Sequence, residues 1–164
     1  MENYAKVMLY VYPFLKAVDK DYEEHICNKA VLSYGSKKTA EQLAEYIAGE
    51  IIVKRNLECL KQDLEKVLDK LSDVEKCLVE IRYFGKRKQL RDFFKSEKGG
   101  EIWNEGKYFR RQKRLGEKLA AMMRSVGLTK ERYLAEFAQV EIFQKIARFV
   151  EEGRDEGAEK RSLA

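Results

Sequence analysis

The chain of 164 residues is long enough for one helical domain with a hydrophobic core, and its 45% of hydrophobic residues excludes an intrinsically disordered chain. A single proline and ten glycines leave long stretches without a helix breaker, which predicts an all-α fold, a multi-helix bundle. The formal net charge is +5, but 13 Lys/Arg against 5 Asp/Glu give the segment from Arg82 to Lys118 a charge of +8 and leave −3 for the remainder. A positive excess confined to one segment indicates a polyanionic partner, usually nucleic acid.

The N-terminal region, residues 1–70, is predicted to consist of helices. Its apolar run from 7 to 15 is too short to span a bilayer, so we expect a buried helix or an entry turn there, with the helical path interrupted near Pro13, and no membrane partner. Thr39 followed by Gln42 forms a capping box and predicts the start of a long helix. A heptad-like seam in that helix lasts only about two heptads. It therefore favours an intramolecular helical hairpin over a coiled-coil dimer, and its residues are Leu57, Leu60, Leu64, Val67 and Leu71.

The middle region, residues 71–126, contains the basic segment. Ser72 with Glu75 forms a second capping box and predicts the start of another helix. This helix is expected to run to about Phe84, and Gly85 is expected to end it.

A second and a third helix are predicted within the same region. Residues 86–96 can form a short helix, and Gly99–Gly100 is predicted to be the turn that follows it. Asn104 is a good N-cap for the next helix, which we expect to reach about Arg124 before a break at Gly127. We also expect Asn104 to be among the residues that contact DNA.

The helix after Asn104 separates its cations from its apolar residues. At about 100° per residue, five cations lie within a sector of roughly 100°, namely Lys107, Arg110, Arg111, Arg114 and Lys118. Gly116 lies within the packing side, where the missing side chain would let another helix approach. The residues predicted to pack are Tyr108, Leu115, Leu119 and Met122, extended by Phe109, Gln112 and Met123.

A cationic stripe suits a helix in the DNA major groove, because phosphates attract the cations and arginine can donate two parallel hydrogen bonds to guanine. Residues 107–118 hold six Lys/Arg and one Glu, whereas a solvated face usually mixes charges to form ion pairs. Two basic helices around a glycine turn indicate a helix-turn-helix with double-stranded DNA as its partner. Cations of the preceding short helix are expected to contact the sugar-phosphate backbone, and they are Lys86, Arg87, Lys88 and Arg91. The alternatives are a cationic helix that serves solubility, an RNA-binding face and a face for an acidic protein.

Two segments resemble region four of sigma factors, as also found in phage-type sigma-like regulators. Residues 71–84, from the capped start with Glu75 to the terminal Arg82-Tyr83-Phe84, are similar to the opening helix of that region. Residues 103–115 are similar to its recognition helix, in which a capping polar residue precedes an apolar anchor and an Arg-rich turn. The resemblance covers about a third of the chain.

The resemblance implies that Tyr108 is a buried anchor and that the unit contacts an upstream promoter element and RNA polymerase. It also implies that four cations face DNA, namely Lys107, Arg110, Arg111 and Arg114. The chain departs from the family in its longer Gly99–Gly100 turn, and in Phe93 and Phe94 where a small residue is usual. Residues 1–70 do not resemble a promoter-melting region, which favours a sigma-like regulator over a complete sigma factor.

The C-terminal region, residues 127–164, is predicted to be one helix that Thr129 caps and that reaches about Glu152, followed by a frayed tail. Apolar residues occupy more than one side of this helix, which places it at the centre of the core or against a second subunit. In a homodimer, the two copies of a DNA-binding unit could each bind one of two half-sites.

Side chains suited to catalysis do not cluster in the sequence. The only histidine, His25, has no ligand set at metal spacing, and we find neither a nucleophile signature nor a phosphate-binding glycine motif. We therefore predict a protein that is not an enzyme and has no cofactor. Three separated cysteines without a CxxC pair (Cys27, Cys59 and Cys77) predict reduced thiols in a cytoplasmic protein.

The sequence thus favours a sequence-specific DNA-binding transcriptional regulator, sigma-like and associated with a phage or mobile element. Two alternatives stay open. One is a phage packaging accessory protein resembling a small terminase subunit, and the other is a helical adaptor whose cations bind an acidic protein.

Overall fold

The computed structural model describes residues 1–31, 37–86 and 105–153, and these ranges contain helices and no strand. The all-α prediction is therefore confirmed. The helices are α1 (Asn3–Val11), α2 (Leu15–Val31), α3 (Ala40–Asp69), α4 (Asp73–Tyr83), α5 (Glu105–Ser125), α6 (Lys130–Glu136) and α7 (Glu141–Glu151), with a 3-10 turn (Tyr12–Phe14) between α1 and α2.

Helix α1 lies at the centre of the core. Seven of its nine residues are buried, because the helix is apolar on every side and contacts α4, α6 and α7. The predicted buried helix near Pro13 is confirmed, and the 3-10 turn that holds this proline is where the chain passes into α2. The predicted regions 1–70, 71–126 and 127–164 all contribute residues to one hydrophobic cluster. Within the described ranges, no helix has the length and apolar character needed to cross a membrane.

The predicted start and stop signals lie where the helices begin and end. The Thr39 hydroxyl accepts a hydrogen bond from the Gln42 N–H at 3.2 Å, and the Ser72 hydroxyl accepts one from the Glu75 N–H at 3.3 Å. In both boxes the returning bond is also present, so the two capping boxes are confirmed. Gly85 ends α4 with a φ of +76°, a conformation that glycine adopts without steric cost.

Helices α2 and α3 form a hairpin that projects from the core. Leu15 is the only buried residue of α2, and the buried residues of α3 begin at Leu57. The heptad-like seam from Leu57 to Leu71 is buried in the chain's own core, while the earlier part of α3 packs against α2 along half-buried side chains. His25 lies in this hairpin, where its Nε2 atom is 2.8 Å from the hydroxyl of Tyr46.

The prediction of one helix from Thr129 to about Glu152 is wrong. The chain leaves the helical path between α6 and α7, although Thr129 does cap α6 as expected. Phe137 and Phe143 are six residues apart and would point about 120° apart around a continuous helix. The break brings both rings into the core, where they stack with centroids 5.2 Å apart and neither is exposed.

Candidate nucleic-acid interface

Helix α5 has one buried and one cationic side, as its periodicity predicts. The buried side chains follow each other at intervals of three or four residues, namely Tyr108, Gln112, Leu115, Leu119 and Met123. Phe109 and Met122, also predicted to pack, are half-buried against the core. Gly116 is approached by Met1, whose Cβ would lie 3.8 Å from a Cβ on the glycine, and not by the helix that we expected there.

A hydrogen-bonded network beneath the helix fixes its rotation. Tyr108 is fully buried, and its hydroxyl oxygen accepts a hydrogen bond from Gln112 Nε2 at 3.0 Å. Gln112 is only 3% exposed and also donates to the backbone carbonyl of Leu78 in α4 at 3.0 Å. A buried amide that lost these acceptors would cost about 1–3 kcal/mol. Helix α5 is thus held against α4 in one rotational setting.

Five cations define the basic face, on the opposite side of α5: Lys107, Arg110, Arg111, Arg114 and Lys118. All five are exposed. They extend over about 17 Å of helix at 1.5 Å per residue. The one acid between the first and last of them is Glu117, which lies beside the face. The predicted stripe of exposed cations is therefore confirmed, while its binding to DNA stays a prediction.

Lys118 has a second role that its sequence position did not reveal. Its Nζ atom lies 2.8 Å from both carboxylate oxygens of Glu75, the third residue of α4 and the partner of Ser72 in its capping box. Burial raises the pKa of Glu75, but the hydrogen bonds from Lys118 and Ser72 outweigh it and hold the pKa below its ordinary value. Because this carboxylate offsets part of the Lys118 charge, the N-terminal two-thirds of the basic face is more strongly cationic.

The arginines of the basic face are oriented differently. Arg110 folds back along the helix, and its Nε donates to the Gly106 carbonyl at 3.2 Å. Arg114 makes neither a hydrogen bond nor an ion pair with any residue that the structure describes. A side chain held only by solvent is available to an external anion at little cost, so Arg114 is the best placed of these cations for a phosphate.

Three cations that the sequence did not select lie in one cleft with the acid Glu117, beside the basic face. Lys6, Arg82 and Lys113 line a cleft of about 300 Å³ where α1, α4 and α5 meet. Arg82 and Lys113 belong to the basic segment and were detectable in the charge count. Lys6 is more than seventy residues away in the sequence, and only the packing of α1 brings it here.

Several predicted contacts fall outside the described residues. Asn104, Arg87, Lys88 and Arg91 lie there, as does the Gly99–Gly100 turn, so the geometry of a helix-turn-helix is untested. Lys86 is described, and it forms an ion pair with Glu80 at 2.8 Å. This pair occupies a lysine that we had expected to contact the sugar-phosphate backbone.

A metal centre is not found in the described part of the chain, where no group of three or more His, Cys, Asp or Glu side chains could hold an ion. The predictions of no cofactor and no enzymatic activity are not tested by this observation.

No protein-family model, curated protein or solved structure matches this chain. The resemblance to sigma-factor region four therefore rests on the two sequence segments alone.

Proposed function

We propose that this protein binds double-stranded DNA through the basic face of α5 and regulates transcription as a sigma-like protein. The observation that carries the proposal is the separation of the two sides of α5, with five exposed cations opposite a row of buried side chains. A helix with its side chains is about 10–12 Å across, and the major groove of B-DNA is about 12 Å wide. The groove walls bring phosphates to both flanks of such a helix.

The fixed rotation of α5 supports this use. Tyr108 and Gln112 hold the buried side in one setting, so the cations project from a helix whose backbone loses little conformational freedom on binding. Phosphates of one strand recur about every 3.4 Å along the duplex axis, so a row of about 17 Å is long enough to reach more than one of them.

The sigma-like assignment adds sequence recognition and a protein partner to this proposal. Under it, arginines of the basic face read base edges, while Arg87, Lys88 and Arg91 contact the backbone of the duplex. RNA polymerase is the second partner that the resemblance implies. The sigma-like assignment is supported by the order of the elements along the chain, in which a basic segment lies between α4 and α5.

A binding selection tests the proposal. The protein is incubated with a library of random duplexes at low salt, and bound sequences are recovered and counted over successive rounds. Enrichment of a common motif is the expected result. Binding without enrichment would leave DNA binding but contradict sequence-specific regulation. Absence of binding, together with binding to polyglutamate, would replace the proposal with an adaptor for acidic proteins.

A further inference from the structure

The projecting α2–α3 hairpin carries apolar residues that no part of the described chain covers. Ile51 is 50% exposed and Ile52 is 60% exposed, although both belong to the long helix α3. Ala44 and Ala48 are also exposed, and their spacing places all four on one side of the helix. We call these four residues the Ala48 patch. An apolar strip on a projecting element indicates a protein contact.

Two apolar residues and two charges are arranged symmetrically about Ala48, while Ile51 has the exposed Glu45 as its counterpart. Glu41 lies seven residues before it and Arg55 lies seven residues after it, which is about 10.5 Å in each direction. Ala44 and Ile52 lie four residues before and after it. Both charged side chains are exposed, and neither pairs with a described residue of its own chain. Such a strip is complementary to its own antiparallel copy.

We propose that a second copy of this chain packs antiparallel on the Ala48 patch, with Ala48 at the two-fold axis. Ala44 of each copy then packs against Ile52 of the other, and each Glu41 pairs with the other copy's Arg55. A parallel arrangement would oppose Glu41 to Glu41, which is unfavourable. The small side chain of Ala48 lets the two helices approach to about 8 Å, the short end of the range for packed helices.

The expected dimer is weak and does not depend on the proposed DNA binding. One helix pair buries less than the roughly 1,200 Å² typical of stable specific complexes, so we expect a dissociation constant in the micromolar range. In a two-fold interface the same surface of both subunits is in contact, so that surface must be complementary to itself. The strip around Ala48 has this property, which is why we propose a second copy of this chain and not a different protein.

Sedimentation equilibrium at protein concentrations between about 2 and 200 µM measures the molecular mass across the range in which a micromolar dimer forms. The wild-type mass should rise from 19.3 kDa toward twice that value. Ala48→Glu places two carboxylates together at the axis and should keep the protein monomeric. Ala17→Glu is the control, because Ala17 is an exposed alanine of the same hairpin outside the patch, and this variant should dimerise like the wild type.

A charge exchange tests the antiparallel pairing itself. Glu41→Arg and Arg55→Glu should each weaken dimerisation by about ten-fold, because each turns two attractive contacts into repulsive ones. The double variant restores opposite charges and should recover the wild-type constant. The proposal is overturned if the wild type stays monomeric, if it forms a larger ring, if Ala48→Glu still dimerises, or if the double variant is no stronger than the single variants. Circular dichroism of every variant confirms that it is folded.

Discussion

The buried anchor Tyr108 offers the most direct test of how α5 is set in the fold. Its side chain is 0% exposed, its ring lies 5.3 Å from that of Phe109, and its hydroxyl accepts a hydrogen bond from Gln112. Tyr108→Ala removes the ring from a closely packed site. Replacing a buried aromatic residue by alanine typically costs about 3–5 kcal/mol. We expect this loss in the free energy of unfolding.

Tyr108→Phe divides that cost into its parts. The phenyl ring keeps the packing, and Gln112 keeps its bond to the Leu78 carbonyl, so the expected loss is about 1 kcal/mol for one hydrogen bond. Urea unfolding followed by circular dichroism measures both variants against the wild type. For a chain of this size, the alanine variant should also melt roughly 6–20 °C lower.

Phe14→Ala is the matched control for the loss of an aromatic ring. Phe14 is 49% exposed, so its removal should cost less than about 1 kcal/mol. If Tyr108→Ala were no more destabilising than Phe14→Ala, the rotation of α5 described above would be wrong. The cations would then not lie together on the exposed side.

Three further predictions concern the helices around the basic face. Gly116→Ala should stabilise the protein by up to about 1 kcal/mol in urea unfolding, because alanine favours the helix and the new Cβ would meet Met1 at 3.8 Å; destabilisation would show that the contact is tighter. Glu75→Gln keeps a capping side chain but removes the ion pair with Lys118. Since the folded pKa of Glu75 is lowered, its stabilisation is present above the ordinary value of 4.5 and is lost as pH falls through the folded pKa. The advantage of the wild type over this variant should therefore be present near pH 7 and shrink as the pH falls below 4.5, and an advantage that stays constant would refute the assignment. Thr129→Ala should cost about 1 kcal/mol, because it removes the oxygen that accepts the Arg132 N–H; an unchanged urea midpoint would contradict this capping role.

Local signals explain why the sequence predicted much of the fold. The boxes at Thr39 and Ser72 involve residues three positions apart, so their chemistry is complete within one turn of helix. The exposed and buried sides of α5 follow from the helical period alone. Gly85 ended α4 because its positive φ suits glycine, and this too is a property of one residue and its neighbours.

Features set by distant packing were missed. No glycine or proline marks the break between α6 and α7, which brings the rings of Phe137 and Phe143 together in the core. The contact between Lys118 and Glu75 joins residues 43 positions apart, and helix periodicity does not encode such a distance. The same holds for Lys6 beside the basic face. The helical scaffold was thus predictable, whereas the partners of individual cations were not.

The central claim is that the basic face of α5 binds DNA phosphates, and fluorescence anisotropy on a labelled random duplex across a salt series tests it most directly. Arg110→Ala with Arg111→Ala is compared with Lys130→Ala with Arg148→Ala, which removes two exposed cations from α6 and α7 and so loses the same charge. If both arginines contact phosphates, the slope of log affinity against log salt concentration should become shallower by about 1.8 in the first variant and stay unchanged in the control. Equal slopes for the two variants, or no binding of the wild type at low salt, would contradict the claim.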